Sequence, residues 1–521
     1  MLRRTIALGS LLAAGSAAVA AAAPAPPGVQ QVLAGILSKP LYAHSTWGYE
    51  VVDQGTGQAL LGQNVDQTFV TGSILKLYST STALAVLGPN YRFRTPVYRL
   101  GAVRRGVLSG NLVLVASGDY SFGLRERRNG TLAYNNAPQI DHNYADTGLP
   151  GPALLPQSNP LAGVDQLARQ VRAAGIRSVR GNVVIDDRLF QTYDGWPDGV
   201  ISPIWINENV IDITTSPSAP GRPARVSWRP RTAAIHVVSQ VRTVTGAGTP
   251  LTVDSPRPGV VRISGRIGAA SKPILNIWQI SDPAAFARTV FIEALRRAGA
   301  RVSARATGAN PTALLPRSRT YPRSARVAER VSPPLSQFIK VILKVSYNRG
   351  ADDMVCLVAA AKRSRDCIAG LKTEQATIGR LGVSPVTTIL FDGAGSSEYD
   401  RSTLEDFTTL LQRAATTSWG ATLHNGLPIL GVDGTAAANQ KGTPAAGNVF
   451  VKSGTRGATS PTDGRGIFSA ITQAGYINAR SGRKLIYALF LRDLPVSPDL
   501  HEYIAADSDQ GAIAAAFQEN Y

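Results

Sequence analysis

The chain has 521 residues, more than one hydrophobic core accommodates, so we expect two or three domains. Apolar residues make up 44% of it and charged residues 17%, which excludes an intrinsically disordered, collagen-like or multi-span membrane protein. The formal net charge is +19, from 54 basic and 35 acidic residues. Because the basic residues form no run of five or six, we expect no nucleic-acid partner; a generally anionic cell envelope is compatible with the charge.

The first 23 residues have the pattern of a secretory signal. Arg3 and Arg4 precede an apolar stretch at 5–19, and a run of alanines at 20–23 follows. An uncleaved membrane anchor is the alternative, but the stretch is short for a bilayer and rich in small residues. We therefore predict cleavage after residue 23, an exported, periplasmic mature chain and no stable membrane anchor.

The first predicted elements are a strand pair and a helix. Alternating apolar residues at 48–53 and 58–63 flank a glycine-containing turn and predict a hairpin. A helical pattern begins near Ser73 and ends at Gly88, which a proline follows. The next predicted elements are strands at 96–100, 107–115 and 183–186 and a helix at 163–174.

The rest of the chain changes composition twice. The region 216–272 has only strand and turn patterns and predicts a small all-β insert. Residues 301–330 are rich in arginine, proline and serine and predict a solvated linker. Further helices are predicted at 282–298, 335–344, 353–362, 373–381, 403–416 and 510–518, and further strands at 449–452, 467–476 and 484–491.

Cys356 and Cys367 are the only cysteines. If one helix carried both, eleven steps of ~1.5 Å would hold them about 16 Å apart, beyond disulfide reach, although a turn between them would change this. We expect two buried free thiols and leave their pairing open. Neither the cysteines nor the five scattered histidines have metal-ligand spacing, so we expect no metal and no cofactor.

Ser73 and Lys76 lie one helical turn apart, so their side chains project from one helix face. A serine hydroxyl is a weak nucleophile unless a neighbouring base takes its proton. For Lys76 to be that base at neutral pH its pKa must fall, and we expect like-charge repulsion from Lys452 to lower it.

Two more short motifs follow in the chain. Ser346-Tyr-Asn348 lies between two predicted helices, and Lys452-Ser-Gly454 lies on a strand that precedes two more strands. Chance copies of the first two motifs lack a suitable predicted element, and we exclude them. The excluded copies are Ser481 with Lys484 and Ser109 with Asn111.

In this order the three motifs resemble those of the penicillin-recognising serine enzymes. The chain most resembles the class C low-molecular-mass penicillin-binding proteins, which are D-alanyl-D-alanine carboxypeptidases with endopeptidase activity. About 270 residues separate Lys76 from Ser346, and this family carries two extra domains in that gap, whereas a class A β-lactamase has room only for a helical domain. Further similarity lies at 110–119, 207–212, 391–396 and 431–435.

The resemblance implies a multidomain α/β (α+β) fold with a β-lactamase/transpeptidase-like catalytic domain, an antiparallel sheet flanked by helices. This domain is expected at 27–98 and 318–521. An inserted α/β domain is expected at 99–215 and 276–317, and a small β-rich domain at 216–275 nested within the insert.

The resemblance also assigns roles. Ser73 is expected to be the acylated nucleophile and Lys76 its general base. Ser346, Asn348 and Lys452 are expected to transfer the leaving-group proton and to hold the substrate peptide.

Substrate binding is expected from the third motif. The hydroxyls of Ser453 and Thr455 would face the terminal carboxylate of D-Ala-D-Ala, with Gly454 between them. The backbone N–H groups of Ser73 and Thr455 would form the oxyanion hole.

Three further residues are weaker candidates for substrate binding. Relatives commonly carry an arginine where this chain has Glu398, and that arginine is thought to bind the diaminopimelate carboxylate. We expect Glu398 to favour an amine or amidated side chain; the alternative is that it faces solvent or pairs with Arg401. Asp186 and Phe190 are expected to border the same pocket. Trp196 is expected to fill core space, although its loop could edge the cleft.

The resemblance thus implies an exported serine D,D-peptidase that acts on peptidoglycan peptides and is acylated by β-lactams. The alternatives are a catalytically silent envelope scaffold of the same fold and a β-lactamase. Because carboxypeptidase and endopeptidase reactions break the same kind of bond, the sequence does not separate them, and it does not define the oligomeric state.

Overall fold

The structure is a computed structural model that describes residues 24–147, 151–156 and 158–521. The predicted signal segment, 1–23, lies outside the described residues. Among the helices of the described part, none is long and apolar enough to cross a membrane.

Within the described residues the helices and strands are numbered in chain order. The α-helices are α1 (Pro27–Leu37), α2 (Lys76–Leu87), α3 (Ala162–Ala173), α4 (Pro283–Arg297), α5 (Leu335–Lys344), α6 (Asn348–Ala361), α7 (Ile368–Arg380), α8 (Leu404–Ala415), α9 (Gly420–Gly426) and α10 (His501–Asn520). The first strands are β1 (Thr46–Asp53), β2 (Ala59–Gln63), β3 (Phe69–Val70), β4 (Arg92–Arg104), β5 (Val107–Val115), β6 (Ile140–Asp141), β7 (Pro152–Ala153), β8 (Ser178–Val179), β9 (Val183–Asp186), β10 (Val210–Ser216) and β11 (Arg225–Arg229). The others are β12 (His236–Val244), β13 (Thr252–Arg257), β14 (Val260–Gly268), β15 (Ile274–Gln279), β16 (Arg301–Val302), β17 (Arg326–Pro334), β18 (Arg401–Ser402), β19 (Val449–Thr459), β20 (Gly466–Asn478), β21 (Lys484–Arg492) and β22 (Leu494–Val496).

The first sheet is antiparallel, in the order β19-β20-β21-β1-β2, and helices cover both of its faces. Strand β21 shows why, because its side chains are apolar on both faces. Ile486, Ala488 and Phe490 join the core formed with α2 and α5–α8, whereas Tyr487 and Leu489 join the core formed with α1 and α10. Strand β19 lies at the edge of this sheet, so one of its sides is free to face a cleft.

The second sheet has the order β16-β8-β5-β4-β17, with α3 and α4 packed on it. The pairing in this sheet bears on two of the expected domain boundaries. The boundary at 98 falls inside β4, and the boundary at 318 assigns β17 to the catalytic domain, although β17 pairs with β4 in the insert's sheet. The predicted linker at 301–330 is also corrected, because its last residues form β17 and Arg330 is buried against Glu126 at 2.5 Å.

The nested β region contains the strands that the sequence predicts. Strands β11 to β14 lie within it. Strands β12, β14 and β13 form one sheet, and β11 joins β10 and β15, which flank the region, in another. Strand β12 runs parallel to β14, whereas β13 runs antiparallel to it.

Cys356 and Cys367 form a disulfide, so the expectation of two free thiols is wrong. The reason is that no single helix carries both: α6 ends at Ala361, Arg363 has a left-handed backbone, and α7 begins only after Cys367. The turn brings the two Cα atoms to 4.3 Å from each other.

Candidate active site

The first motif lies where a short 3-10 turn, Gly72–Leu75, continues into α2. Lys76, the first residue of α2, is fully buried, and its Nζ lies 2.6 Å from the Oγ of Ser73. The same Nζ donates to Asn348 Oδ1 at 2.7 Å and to the Ala394 carbonyl at 2.8 Å. Lysine and serine are therefore in hydrogen-bond contact, as a base and its nucleophile require.

The second motif occupies the connection between α5 and α6. Ser346 has a left-handed backbone, with φ of 60°, a conformation that costs free energy and is common at functional sites. Its neighbour Tyr347 is buried and donates its N–H to the Ile342 carbonyl at 3.0 Å, which fixes the turn. The Oγ of Ser346 accepts a hydrogen bond from Lys452 Nζ at 3.0 Å.

The third motif lies on the edge strand β19, directly against the 3-10 turn that carries the serine. A Cβ at position 454 would lie 2.7 Å from the Ser73 nitrogen, and a Cβ at Gly72 would lie 2.9 Å from the Thr455 nitrogen. Glycine is therefore needed at both places for the two segments to touch. This contact brings the backbone N–H groups of Ser73 and Thr455 close together, as an oxyanion hole needs.

Burial lowers the pKa of both lysines. For Lys76 burial brings the pKa to about 8, against the raising effect of nearby carboxylates, Asp198 first among them. For Lys452 burial, and then the charge of Lys76, lowers the pKa well below its usual range. Repulsion between the two lysines thus lowers the pKa of Lys452, whereas burial is the leading cause of the lowered pKa of Lys76.

An open cavity of about 740 Å³ joins the three motifs. Its walls include Ser73, Ser346, Asn348, Ser453 and Thr455. Lys76, Lys452 and Gly454 lie buried directly behind these residues. The structure therefore brings together the eight candidates that the three motifs supplied.

Asp186 and Phe190, which we expected to border the same pocket, do not lie with them. The carboxylate of Asp186 is buried against Arg188 at 2.8 Å and accepts a hydrogen bond from the Tyr321 hydroxyl at 2.7 Å. Phe190 is fully buried in the core beside α2 and α6. Neither is among the described residues that line the cleft.

Glu398 lies at the margin of the cleft. Its side chain is half exposed, and its carboxylate lies 3.6 Å from the guanidinium of Arg456, which lines the cavity. Arg401 instead donates to the backbone carbonyl of Glu398. Pairing of Glu398 with Arg401 was one of the alternatives, but the charged partner in the structure is Arg456.

The motifs did not predict two polar residues of the inserted domain that reach the site. Tyr144 donates its hydroxyl proton toward the Ser346 carbonyl and Asn348 Oδ1, and Asp198 accepts from Asn348 Nδ2 at 2.7 Å. The only sequence signal for them was the Gly-, Pro- and Asp-rich loop around Trp196, which carries Asp198. Trp196 itself is buried in the core.

A helix-borne Ser–Lys pair, a Ser-x-Asn turn and a Lys-Ser-Gly edge strand around one cleft define a penicillin-recognising serine hydrolase. The chain belongs to the D-Ala-D-Ala carboxypeptidase 3 (S13) family, whose model matches residues 29–510. It is therefore an enzyme, a serine-type hydrolase of the D-Ala-D-Ala carboxypeptidase class. The resemblance drawn from the motifs is confirmed.

Individual relatives agree with the family. The chain is 27% identical over 460 residues to a D-alanyl-D-alanine carboxypeptidase of Actinomadura sp., covering 82% of this chain and 76% of that protein. It is 21% identical over 483 residues to D-alanyl-D-alanine carboxypeptidase DacB of Haemophilus influenzae, covering 87% of each. The crystal structure of penicillin binding protein 4 from Haemophilus influenzae superimposes with a TM-score of 0.69 at 18% identity, over 92% of this chain and 98% of that one. The predicted fold class is confirmed.

Proposed function

We propose that the chain is an exported, periplasmic serine D,D-peptidase that cleaves the D-alanyl bond of peptidoglycan peptides through an acyl-enzyme on Ser73. The observation that carries the proposal is the 2.6 Å contact between Lys76 Nζ and Ser73 Oγ, at a buried lysine with a lowered pKa. Neutral Lys76 takes the hydroxyl proton while Oγ attacks the carbonyl carbon of the penultimate D-Ala. The N–H groups of Ser73 and Thr455 receive the developing oxyanion.

The second and third motifs serve the leaving group and the substrate. Ser346 gives its hydroxyl proton to the departing nitrogen and recovers one from Lys452, which donates a hydrogen bond to it, so D-Ala leaves as an amine and the acyl group stays on Ser73. During hydrolysis the proton of the attacking water restores Lys452, and the proton held by Lys76 returns to Ser73. Ser453 and Thr455 offer hydroxyls to the terminal carboxylate from the exposed side of β19. Water then hydrolyses the ester. The same cleft accepts a free D-Ala terminus or a D-alanyl cross-link, so both carboxypeptidase and endopeptidase reactions are proposed.

A β-lactam would acylate the same serine, and this gives a direct test. Wild-type enzyme incubated with a fluorescent penicillin is expected to take up one label per chain, and Ser73→Ala none. Ser481→Ala is the matched control, because it removes the serine of a Ser-x-x-Lys pair that lies in a turn. Release of D-Ala from a muramyl pentapeptide completes the assay. Labelling of Ser73→Ala, or an unlabelled and inactive wild type, would reject the proposal, the second result in favour of a silent scaffold.

A further inference from the structure

The side chain of Asn348 is held in one orientation by three partners. Its Oδ1 accepts from Lys76 Nζ at 2.7 Å, and its Nδ2 donates to Asp198 Oδ1 at 2.7 Å. The Tyr144 hydroxyl lies 3.0 Å from the same Oδ1 and shares its one proton between this oxygen and the Ser346 carbonyl. Rotating the amide by half a turn would set its NH₂ against the lysine and its oxygen against a carboxylate. The hydrogen bond to Asp198 therefore keeps the oxygen of Asn348 facing Lys76.

This orientation matters most when Lys76 is neutral. A neutral amine has two N–H donors and one lone pair, and two acceptors other than the serine surround Nζ, Asn348 Oδ1 and the Ala394 carbonyl. With both N–H groups bonded to these oxygens, the lone pair is left for the hydroxyl proton of Ser73. If Asn348 turned its NH₂ to the lysine, the lone pair would bond to the amide instead.

Packing within the inserted domain fixes the position of Asp198. Its turn closes with mutual backbone hydrogen bonds between Tyr193 and Ile201, at 2.8 and 2.9 Å. Trp196 anchors the turn in the core, and Gly199, with φ of +100°, leaves no room for a Cβ, which would lie 2.1 Å from the side-chain oxygen of Gln279.

Tyr144 is fixed by a buried charge cluster. The two residues that begin its short helical turn are Asp141, bound by Arg125 at 2.7 Å, and His142, whose Nδ1 lies 2.8 Å from an oxygen of Asp212. Burial lowers the pKa of His142, but the carboxylates of Asp212 and Glu208 outweigh it, raise the pKa to about 10 and hold His142 in its charged form. Because the cluster fixes this turn, it also fixes the position of the Tyr144 hydroxyl.

We propose that Asp198 and Tyr144 are positioning residues of the catalytic centre, through which the inserted domain orients Asn348 and, by way of Asn348, the lone pair of Lys76. The inference rests on the proposed roles of Ser73 and Lys76. The insert is then a working part of the active site, and its removal would leave the three motifs with a misoriented base.

Asp198 also acts on Lys76 through its charge. The charged groups that act on Lys76 are Asp198 in the insert, Asp352 in α6, Asp392 and Asp400 in the loop that follows α7, and Lys452 in β19. The other Asp198 oxygen has no hydrogen-bond partner within the described part of the chain. Because the carboxylate raises the pKa of Lys76, neutralising it lowers that pKa, and acylation then begins at lower pH.

The test measures second-order acylation by a chromogenic β-lactam against pH for four variants of the full chain. Asp198→Asn keeps an acceptor for Asn348 but loses the charge. In its plot of acylation rate constant against pH, we expect the rising part at acid pH (the acid limb) to lie about half a pH unit lower, and the maximal rate constant (the plateau) to stay within about threefold of wild type. Asp198→Ala also loses the acceptor, so its plateau is expected to fall on the order of tenfold. Tyr144→Phe is expected to fall about three- to tenfold without a shift of the limb. The control is Asp146→Asn, an exposed acid that lines the same small pocket as Asp198 but bonds to Gln279, and we expect no change.

Three results would overturn the inference. The first is an Asp198→Ala enzyme with the plateau and the acid limb of wild type. The second is an acid limb that shifts equally in Asp146→Asn and in Asp198→Asn. The third is a Tyr144→Phe enzyme with full activity. The nearly isosteric Asp198→Asn keeps the test decisive if the alanine variant unfolds. Acylation of Ser73→Ala would instead reject the proposed function itself, so the two failures are distinguishable.

Discussion

Substituting Gly454 by alanine tests the contact between β19 and the serine-bearing turn. The added Cβ would lie 2.7 Å from the Ser73 nitrogen and 2.8 Å from the Ile74 nitrogen. The nearest atom of all is the side-chain oxygen of Thr472, at 2.4 Å. Since the two nitrogens are backbone atoms, β19 must also move away from the serine-bearing turn by about 0.7 Å to reach ordinary van der Waals contact, which begins at 3.4 Å. Since Thr455 follows on the same strand, its N–H moves with it.

Displacing one oxyanion donor by this distance is expected to slow acylation on the order of 10²-fold, or about 2.7 kcal/mol of transition-state stabilisation. The assay is the second-order rate of acylation by a β-lactam, with thermal unfolding measured in parallel. Gly379→Ala is the control, because this helical glycine has no atom within 4 Å of the added Cβ. A Gly454→Ala enzyme that folds and acylates within threefold of wild type would refute this reading of the contact.

Three further predictions concern pH, the disulfide and substrate choice. Because only neutral Lys76 accepts the proton and its pKa is about 8, acylation is expected to fall about tenfold per pH unit below that value; a flat profile from pH 6 to 9 would contradict this. Replacing Cys356 and Cys367 by alanine is expected to lower the free energy of unfolding by about 2–3 kcal/mol in denaturant titrations, and no change would show that the bridge constrains little. Glu398 is expected to favour an amidated over a free-acid side chain at the diaminopimelate position by no more than about fivefold, because Arg456 offsets its charge; a clear preference for the free acid in muropeptide turnover would refute it.

The sequence predicts those parts of the site in which the residues are close together in the chain, so that a single helix or strand sets their geometry. Ser73 and Lys76 share one helical turn, and their separation follows from helix spacing alone. Gly454 and Thr455 lie on β19, of which the sequence predicts only the first residues, 449–452, as a strand. The order of the motifs along the chain then indicates how they combine, and the structure brings them to one cleft.

The parts that sequence did not predict depend on how the inserted domain packs. Tyr144 and Asp198 have no motif, and their contacts with Asn348 arise because two loops of the insert meet α6. The ion pair of Asp186 with Arg188 was not predicted for the same reason. The sheet to which β4 belongs was not predictable either, because its sequence is that of an ordinary strand and only its pairing with β17 shows which sheet it joins.

The central claim is that Ser73 is the residue acylated, with Lys76 as its base. The most direct measurement is mass-spectrometric mapping of proteolytic peptides after incubation with a β-lactam. We predict a single adduct, on the peptide that contains Ser73, and its loss when Lys76 is replaced by methionine. An adduct on Ser346 or on another serine, or an unchanged adduct in the Lys76→Met enzyme, would contradict the account.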